Sequence, residues 1–275
     1  MVVTRCSGRF TASRTRLWVR EPLPVFLVSL LLASLFWAVP TLHAALEEGK
    51  TGAEVLIGAD DDNLNNTAIQ PPNTPANQSL NNTDILLGGL GNDVLIGLLG
   101  NDVLNGGLGH DILIGGTEQG VAPNSDVMFG GPGNDVNIWA PGDGSDAFIG
   151  DSGTDAIIFG VIDRDATNAP TLTAPVEGFP QGVPTANVSG SPGFCTLERV
   201  ADRDFGFEWL VRFFVRSSGA LAVTIRLADV EQVFCTSQAG GQITYADLTQ
   251  ANPAFVEIPL DQVPALNYTA GLVIR

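Results

Sequence analysis

Eight aspartates recur through the middle of this chain: Asp84, Asp93, Asp102, Asp111, Asp126, Asp135, Asp146 and Asp155. Five of the seven steps between them are nine residues, and the steps into Asp126 and Asp146 are fifteen and eleven. The two longer steps read as surface loops inserted without breaking the register. Carboxylates on a fixed period can be brought together, and a gathering of like charges needs a cation. From Ala45 to Gly160 there are seventeen Asp and Glu against one basic residue, Lys50, so no internal side chain can supply that charge. The donors on offer are hard oxygens, namely the carboxylates and the carbonyls that Gly-rich turns expose, and these suit Ca²⁺. Zinc is a poor match, because beyond residue 44 there is one histidine, His110, and one pair of cysteines.

Each Asp occupies the sixth place of a nine-residue unit. GGLGNDVLI begins at Gly88, GLLGNDVLN at Gly97, GGLGHDILI at Gly106 and GGPGNDVNI at Gly130, with looser copies PGDGSDAFI from Pro141 and GDSGTDAII from Gly150. An outlying copy, IGADDDNLN from Ile57, carries Asp62 and is separated from the rest by a polar insert, residues 65–83. Gly at places one, two and four permits a tight turn, which the Asp closes. Places seven to nine form a strand too short to stand alone. Stacked in parallel, such strands bury the eighth-place row Leu86, Leu95, Leu104, Leu113, Met128, Phe148 and Ile157. Asn137 interrupts the row, either as a tolerated polar residue or through a local shift of register.

These units resemble the RTX, or haemolysin-type, calcium-binding nonapeptide repeat, continuously from residue 84 to 158. The resemblance implies a parallel β-roll in which two repeats make one coil and Ca²⁺ sits between successive turns on the same side. Residues eighteen apart in an uninterrupted run then stand one strand spacing apart, ~4.8 Å. Two carboxylates at that distance repel by roughly 1 kcal/mol in water and about 3.5 kcal/mol at an effective dielectric of 20. The implied carboxylate ligands are Asp93, Asp111, Asp135 and Asp155 along one edge, and Asp84, Asp102, Asp126 and Asp146 along the other. Asp111 would serve two sites, whereas Asp155 would end its edge. The implied set is completed by the turn glycines Gly88, Gly89 and Gly91; Gly97 and Gly100; Gly106, Gly107 and Gly109; Gly130, Gly131 and Gly133; Gly142 and Gly144; and Gly153. Whether Asp62 has a stacked partner is left open.

Five arginines (Arg5, Arg9, Arg14, Arg16, Arg20) precede an apolar run from Val25 to Val39, then Pro40 and the small residues Ala44 and Ala45. That is the layout of a secretory signal, residues 1–44, cleaved near Ala44, with an uncleaved anchor as the alternative. Its removal takes away five Arg and one Glu and moves the formal charge from −17 to −21. So acidic a chain is unsuited to nucleic acid and suited to cations. The two remaining cysteines, Cys195 and Cys235, are expected to pair in an oxidising compartment.

The expected fold is all-β. It comprises a parallel β-roll of calcium-binding repeats over 45–165, a Pro- and Gly-rich linker or long loop over 166–193, and a small antiparallel β domain over 194–275. Val211, Phe213 and Val215 share one strand face, and Leu221, Val223, Ile225 and Leu227 another, with Ser217-Ser218-Gly219 as the hairpin turn between. Further short strands are expected near 231–235, 242–245, 254–258 and 268–274. Arg212, Arg216 and Arg226 are expected on the solvated face of the hairpin.

No HExxH, P-loop or GxSxG motif is present. GDSG at 150–153 falls in the repeat register, and His110 stands where sister copies have Asn92, Asn101 and Asn134. The leading expectation is an exported, non-enzymatic protein, structural, adhesive or partner-binding, that takes up several Ca²⁺ and has no membrane span once the signal is removed. The rival is a calcium-stabilised secreted hydrolase with its activity in 194–275.

Overall fold

A unit with one turn and a short strand can bury apolar side chains only by stacking on copies of itself, and that stack is what forms. The computed structural model describes residues 46–48, 55–57, 84–98, 100–116, 125–166, 170–200, 206–259 and 262. All of them lie in the second of two compact units, His43–Arg275. The signal stretch, the turn of Asp62, the 65–83 insert and the strand expected at 268–274 lie outside the described residues. Among the described residues no helix is long and apolar enough to cross a membrane.

Alternate strands feed two parallel stacks. The first holds β1 (Leu46–Glu48), β3 (Ile85–Leu90), β5 (Val103–Leu108), β7 (Val127–Gly133) and β9 (Ala147–Gly153). The second holds β2 (Val55–Ile57), β4 (Val94–Ile96), β6 (Ile112–Ile114), β8 (Val136–Trp139) and β10 (Ala156–Phe159). In the first, Leu86, Leu104, Met128 and Phe148 stand in line; in the second, Leu95, Leu113, Asn137 and Ile157 do. The loops before Asp126 and Asp146 therefore leave the register intact. Every apolar member of these rows is fully buried in one core between the sheets, and each such side chain contributes about 1.5–3 kcal/mol. Asn137 keeps its place, so the row tolerates a polar residue without slipping. Its amide donates to the Leu113 carbonyl (3.2 Å) and contacts the Met128 sulfur.

The second sheet is buried on both faces. Val94, Ile96, Ile112, Ile114, Val136, Ile138, Ala156 and Ile158 point away from the central core into another apolar layer. This explains why places seven and nine are apolar as well as place eight. The layer is covered by the Pro- and Gly-rich segment, which folds back to bring Phe179, Val183, Ala186 and Val188 onto it. β11 (Val161–Ile162) and β12 (Ala186–Asn187) pair antiparallel to close that loop.

The antiparallel strands of the C-terminal part extend the same two sheets. β13 (Gly193–Arg199), β14 (Trp209–Val215) and β15 (Leu221–Ala228) continue the first, while β16 (Gln232–Thr236), β17 (Ile243–Asp247) and β18 (Val256–Ile258) continue the second. The joints are parallel: β15 lies on β9 and β16 on β10. The hairpin turns where expected, with Gly219 N–H donating to Val215 O at 2.8 Å. Val211, Phe213, Val223, Ile225 and Leu227 enter the central core, and Phe213 packs on Trp139 and Phe159. A bulge between Phe213 and Phe214 shifts the pairing, and Leu221 at the far end of its row is left 50% exposed. The Cys195–Cys235 disulfide joins β13 to β16 and so ties one sheet to the other. Closing a loop of that length restricts the unfolded chain by roughly 4 kcal/mol.

Of the three arginines expected on the hairpin surface, Arg212 pairs with Glu198. Arg216 instead donates to the carbonyls of Ser191, Gly193, Ser237 and Gln238 at 2.6–3.3 Å, clamping two loops. A guanidinium presents five donors in a planar fork, and scattered carbonyls satisfy it well.

Candidate metal centre

Each turn is locked to the turn one coil away by its own aspartate. The N–H of Asp84 donates to Oδ1 of Asp102 (2.7 Å), that of Asp102 to Asp126 (2.7 Å), and that of Asp126 to Asp146 (3.0 Å). On the other edge Asp93 donates to Asp111 (2.8 Å), Asp111 to Asp135 (2.7 Å) and Asp135 to Asp155 (2.7 Å). The eight aspartates thus form the two ladders expected, and all eight are buried. Backbone bonds hold the same register: Ile112 N–H meets Asp93 O at 2.8 Å and Val136 N–H meets Asp111 O at 2.8 Å.

A second ladder runs beside one of these at the fifth place. His110 N–H donates to Asn92 Oδ1 (2.9 Å), Asn134 N–H to His110 Nδ1 (2.9 Å), and Thr154 N–H to Asn134 Oδ1 (2.9 Å). His110 therefore replaces asparagine as an acceptor. On the opposite edge Ser125 N–H uses Asn101 Oδ1 in the same way.

From Asp102 onward Oδ1 of each aspartate serves the ladder, and Oδ2 of Asp93, Asp102, Asp111, Asp126, Asp135 and Asp155 faces the first glycine of its own repeat. A Cβ on Gly106 would lie 2.3 Å from Asp111 Oδ2, and one on Gly130 or Gly150 would lie 2.5 Å from Oδ2 of Asp135 or Asp155. Place one is glycine because of this close approach. Gly88, Gly97 and Gly115 meet Asp93, Asp102 and Asp126 in the same way. Gly115 and Gly150 fall outside the sequence-derived set, because Gly115 precedes a long insert and Gly150 opens a loose copy. Place two is glycine for a different reason: Gly89, Gly107 and Gly131 have φ of 96°, 105° and 102°. Leu98 (φ 72°) and Asp151 (φ 76°) occupy that place against their steric preference. The turn with Gly142 and Gly144 departs from the others. Asp143 folds back to accept from Ala140 N–H, and Gly144 O accepts the Trp139 indole N–H at 3.0 Å.

The Oδ2 atoms of Asp111, Asp135 and Asp155 are buried without a hydrogen-bond partner. Burial raises the carboxyls of Asp111 and Asp155 from 3.8 to about 7 and that of Asp135 to about 8; backbone N–H bonds oppose the rise, and neighbouring carboxylates add to it. Burial likewise carries Asp146 to about 7. Among the described residues no three acidic, His or Cys side chains converge as a closed cage. What the ladders offer is one or two carboxylates per turn with carbonyl oxygens beside them, a donor set that fits a hard, oxygen-seeking cation.

Residues 80–117 and 124–136 match the RTX calcium-binding nonapeptide repeat in four copies. The chain carries RTX repeats. Such repeats bind calcium, and the two aspartate ladders are where the RTX turns of this chain gather their carboxylates. No curated protein and no solved structure matches the chain. The match stops at residue 136, yet the turns closed by Asp146 and Asp155 continue both ladders in the same register.

Proposed function

We propose that this is an exported calcium-binding protein without catalytic activity of its own, whose roll folds as it takes up several Ca²⁺ and then serves as a structural, adhesive or partner-binding module. The observation that carries the reading is the row of buried, unbonded Oδ2 atoms of Asp111, Asp135 and Asp155 on one edge. A carboxylate withdrawn from water without compensation opposes folding by several kcal/mol. When bound, Ca²⁺ supplies the missing positive charge and accepts oxygen ligands. The residues that would hold it are Asp93, Asp111, Asp135 and Asp155 on one edge and Asp84, Asp102, Asp126 and Asp146 on the other, with the carbonyls of the glycine turns beside them. Export is supported by the Arg-rich start with its apolar run, and by the Cys195–Cys235 disulfide, which suits an oxidising compartment.

Calcium titration of the full chain followed by far-UV circular dichroism tests this. EDTA should remove β-signal and millimolar Ca²⁺ restore it, with monovalent salt a partial substitute because screening provides no directed ligands. Full hydrogen-exchange protection of residues 84–158 in the chelated protein would refute calcium-coupled folding.

A further inference from the structure

The Asp93–Asp111–Asp135–Asp155 ladder does not stop at the last repeat. Asp155 N–H donates to Oε2 of Glu231 at 2.7 Å, the bond that every earlier rung makes to an aspartate. In return the Asp155 carbonyl accepts from Glu231 N–H (3.1 Å) and Gln232 N–H (3.0 Å). β15 lies parallel on β9 and β16 parallel on β10, so the passage from Ala228 to Gln232 forms another half coil of the roll, built without the repeat sequence.

The two turns differ in length. Ala228 pairs with Ile149 and Gln232 with Ala156, so the three residues Asp229–Glu231 span what Gly150–Asp155 spans in six. Asp229 takes φ 51° to make that short turn. Its carbonyl lies 2.1 Å from where a Cβ on Gly150 would be, the place that the next coil's glycine carbonyl takes at Gly88 and Gly97. Glu231 stands directly before its strand, as each ladder aspartate does, and meets Asp155 N–H with a side chain one methylene longer. The buried Asp155 Oδ2, without a hydrogen-bond partner, lies 2.5 Å from the same point on Gly150 as the Asp229 carbonyl. Residue 155 is fully buried, so that oxygen is aimed into this turn and away from water.

We propose that the Asp229–Glu231 turn completes a further divalent-cation site with Asp155, taking Ca²⁺ through the Asp155 and Glu231 carboxylates and the Asp229 carbonyl. The inference rests on the calcium reading above and extends it outside the repeats. Asp229 and Asp151 also act electrostatically on Asp155, so the turn concentrates negative charge. The opposite ladder has no such extension. Arg226 pairs with Ala147, which sets Ile225 against Asp146, and that edge ends on an apolar residue. The consequence is directional: calcium at this site fastens the disulfide-bonded strands to the end of the roll.

The test is ion stoichiometry by equilibrium dialysis of the full chain and its Glu231→Gln variant. Glutamine keeps an acceptor for Asp155 N–H but gives up the charge, so the variant should bind one Ca²⁺ fewer per chain while the calcium-induced β-signal of the repeats persists. Equal, non-zero stoichiometry in the two proteins would overturn the extra site and leave calcium binding by the repeats standing. A parent chain that binds no calcium would overturn both. A second measurement needs no substitution: with ¹³C at the glutamate carboxyls, the Glu231 signal should move on adding Ca²⁺ and stay still in NaCl of equal ionic strength. A signal indifferent to Ca²⁺ would likewise refute the site.

Discussion

Replacing Asp111 with asparagine should stabilise the chelated roll at alkaline pH and weaken the calcium-loaded one. In the folded, ion-free chain burial raises this carboxyl from 3.8 to about 7. A raised folded pKa means that the stability linked to this group is fully present below about pH 4 and is lost as the pH rises through about 7. The gap between the two values corresponds to roughly 4 kcal/mol for this single group. Asparagine cannot ionise, and its Oδ1 can keep the 2.8 Å bond from Asp93 N–H. Its NH₂ takes the place of Oδ2, and a buried donor left without an acceptor costs about 1–3 kcal/mol. Asp111→Asn should therefore gain roughly 1–3 kcal/mol in EDTA at about pH 8.5 and lose a similar amount near pH 4, where the parent carboxyl is already neutral. In millimolar Ca²⁺ at the higher pH the order reverses, because the substituted turn lacks a carboxylate. The β-signal that survives in EDTA, compared between parent and variant by circular dichroism, reads the first sign, and urea unfolding in Ca²⁺ reads the second. If parent and variant keep the same order with and without calcium, relief of carboxylate burial is not what calcium contributes.

Gly106→Ala places a Cβ 2.3 Å from Asp111 Oδ2, and melts in Ca²⁺ should show a loss beyond the ~1–3 kcal/mol usual for overpacking. Gly219→Ala, where nothing lies within 4 Å, should cost only the roughly 1–2 kcal/mol of its positive φ. Asn137→Leu removes a buried Oδ1 that has no partner, at the expense of the amide's bonds to Leu113 O and the Met128 sulfur, and should raise stability in Ca²⁺ by up to about 1 kcal/mol; a fall would mean that the polar residue is needed in the row. Thiol titration of the unfolded, unreduced chain after residue 44 should find no free cysteine, and Cys235→Ser should lower stability by about 2–4 kcal/mol.

The ladders were legible because one residue type on a nine-residue period is a pattern that stacking alone can use, and the inserts before Asp126 and Asp146 lengthen a loop without moving a strand. The hairpin and the disulfide were legible for similarly local reasons: alternation with a Gly turn, and a single remaining pair of cysteines. The extra half coil was not. Parallel pairing of β15 on β9 is made by backbone groups that carry no sequence mark, and its turn is half as long as a repeat turn with glutamate in place of aspartate. Asp155 accordingly reads as the end of its edge in the sequence, whereas in the fold it is an inner rung between Asp135 and Glu231. The cover over the second sheet was hidden for another reason. Phe179, Val183, Ala186 and Val188 follow no period, so nothing in the segment announces that its apolar residues meet one surface.

The two ends of the roll are physically unlike, and this gives the stack a direction. A parallel stack of three- to seven-residue strands needs an edge on which to begin, since one repeat buries too little to offset the ordering of its own glycines. β15 and β16 provide such an edge. They are held by long antiparallel pairings with β14 and β17 and by the Cys195–Cys235 link, none of which involves the aspartate ladders. The repeat strand beside β16, β10, joins it through Asp155, whose amide is matched to Glu231. Each later rung then repeats that bond one coil further from the cap, with Trp139, Phe159 and Phe213 sealing the core where the two parts meet. On the proposed calcium-coupled folding, the order that Ca²⁺ brings is expected to grow from this end, and Glu231, outside the repeats, stands at the junction.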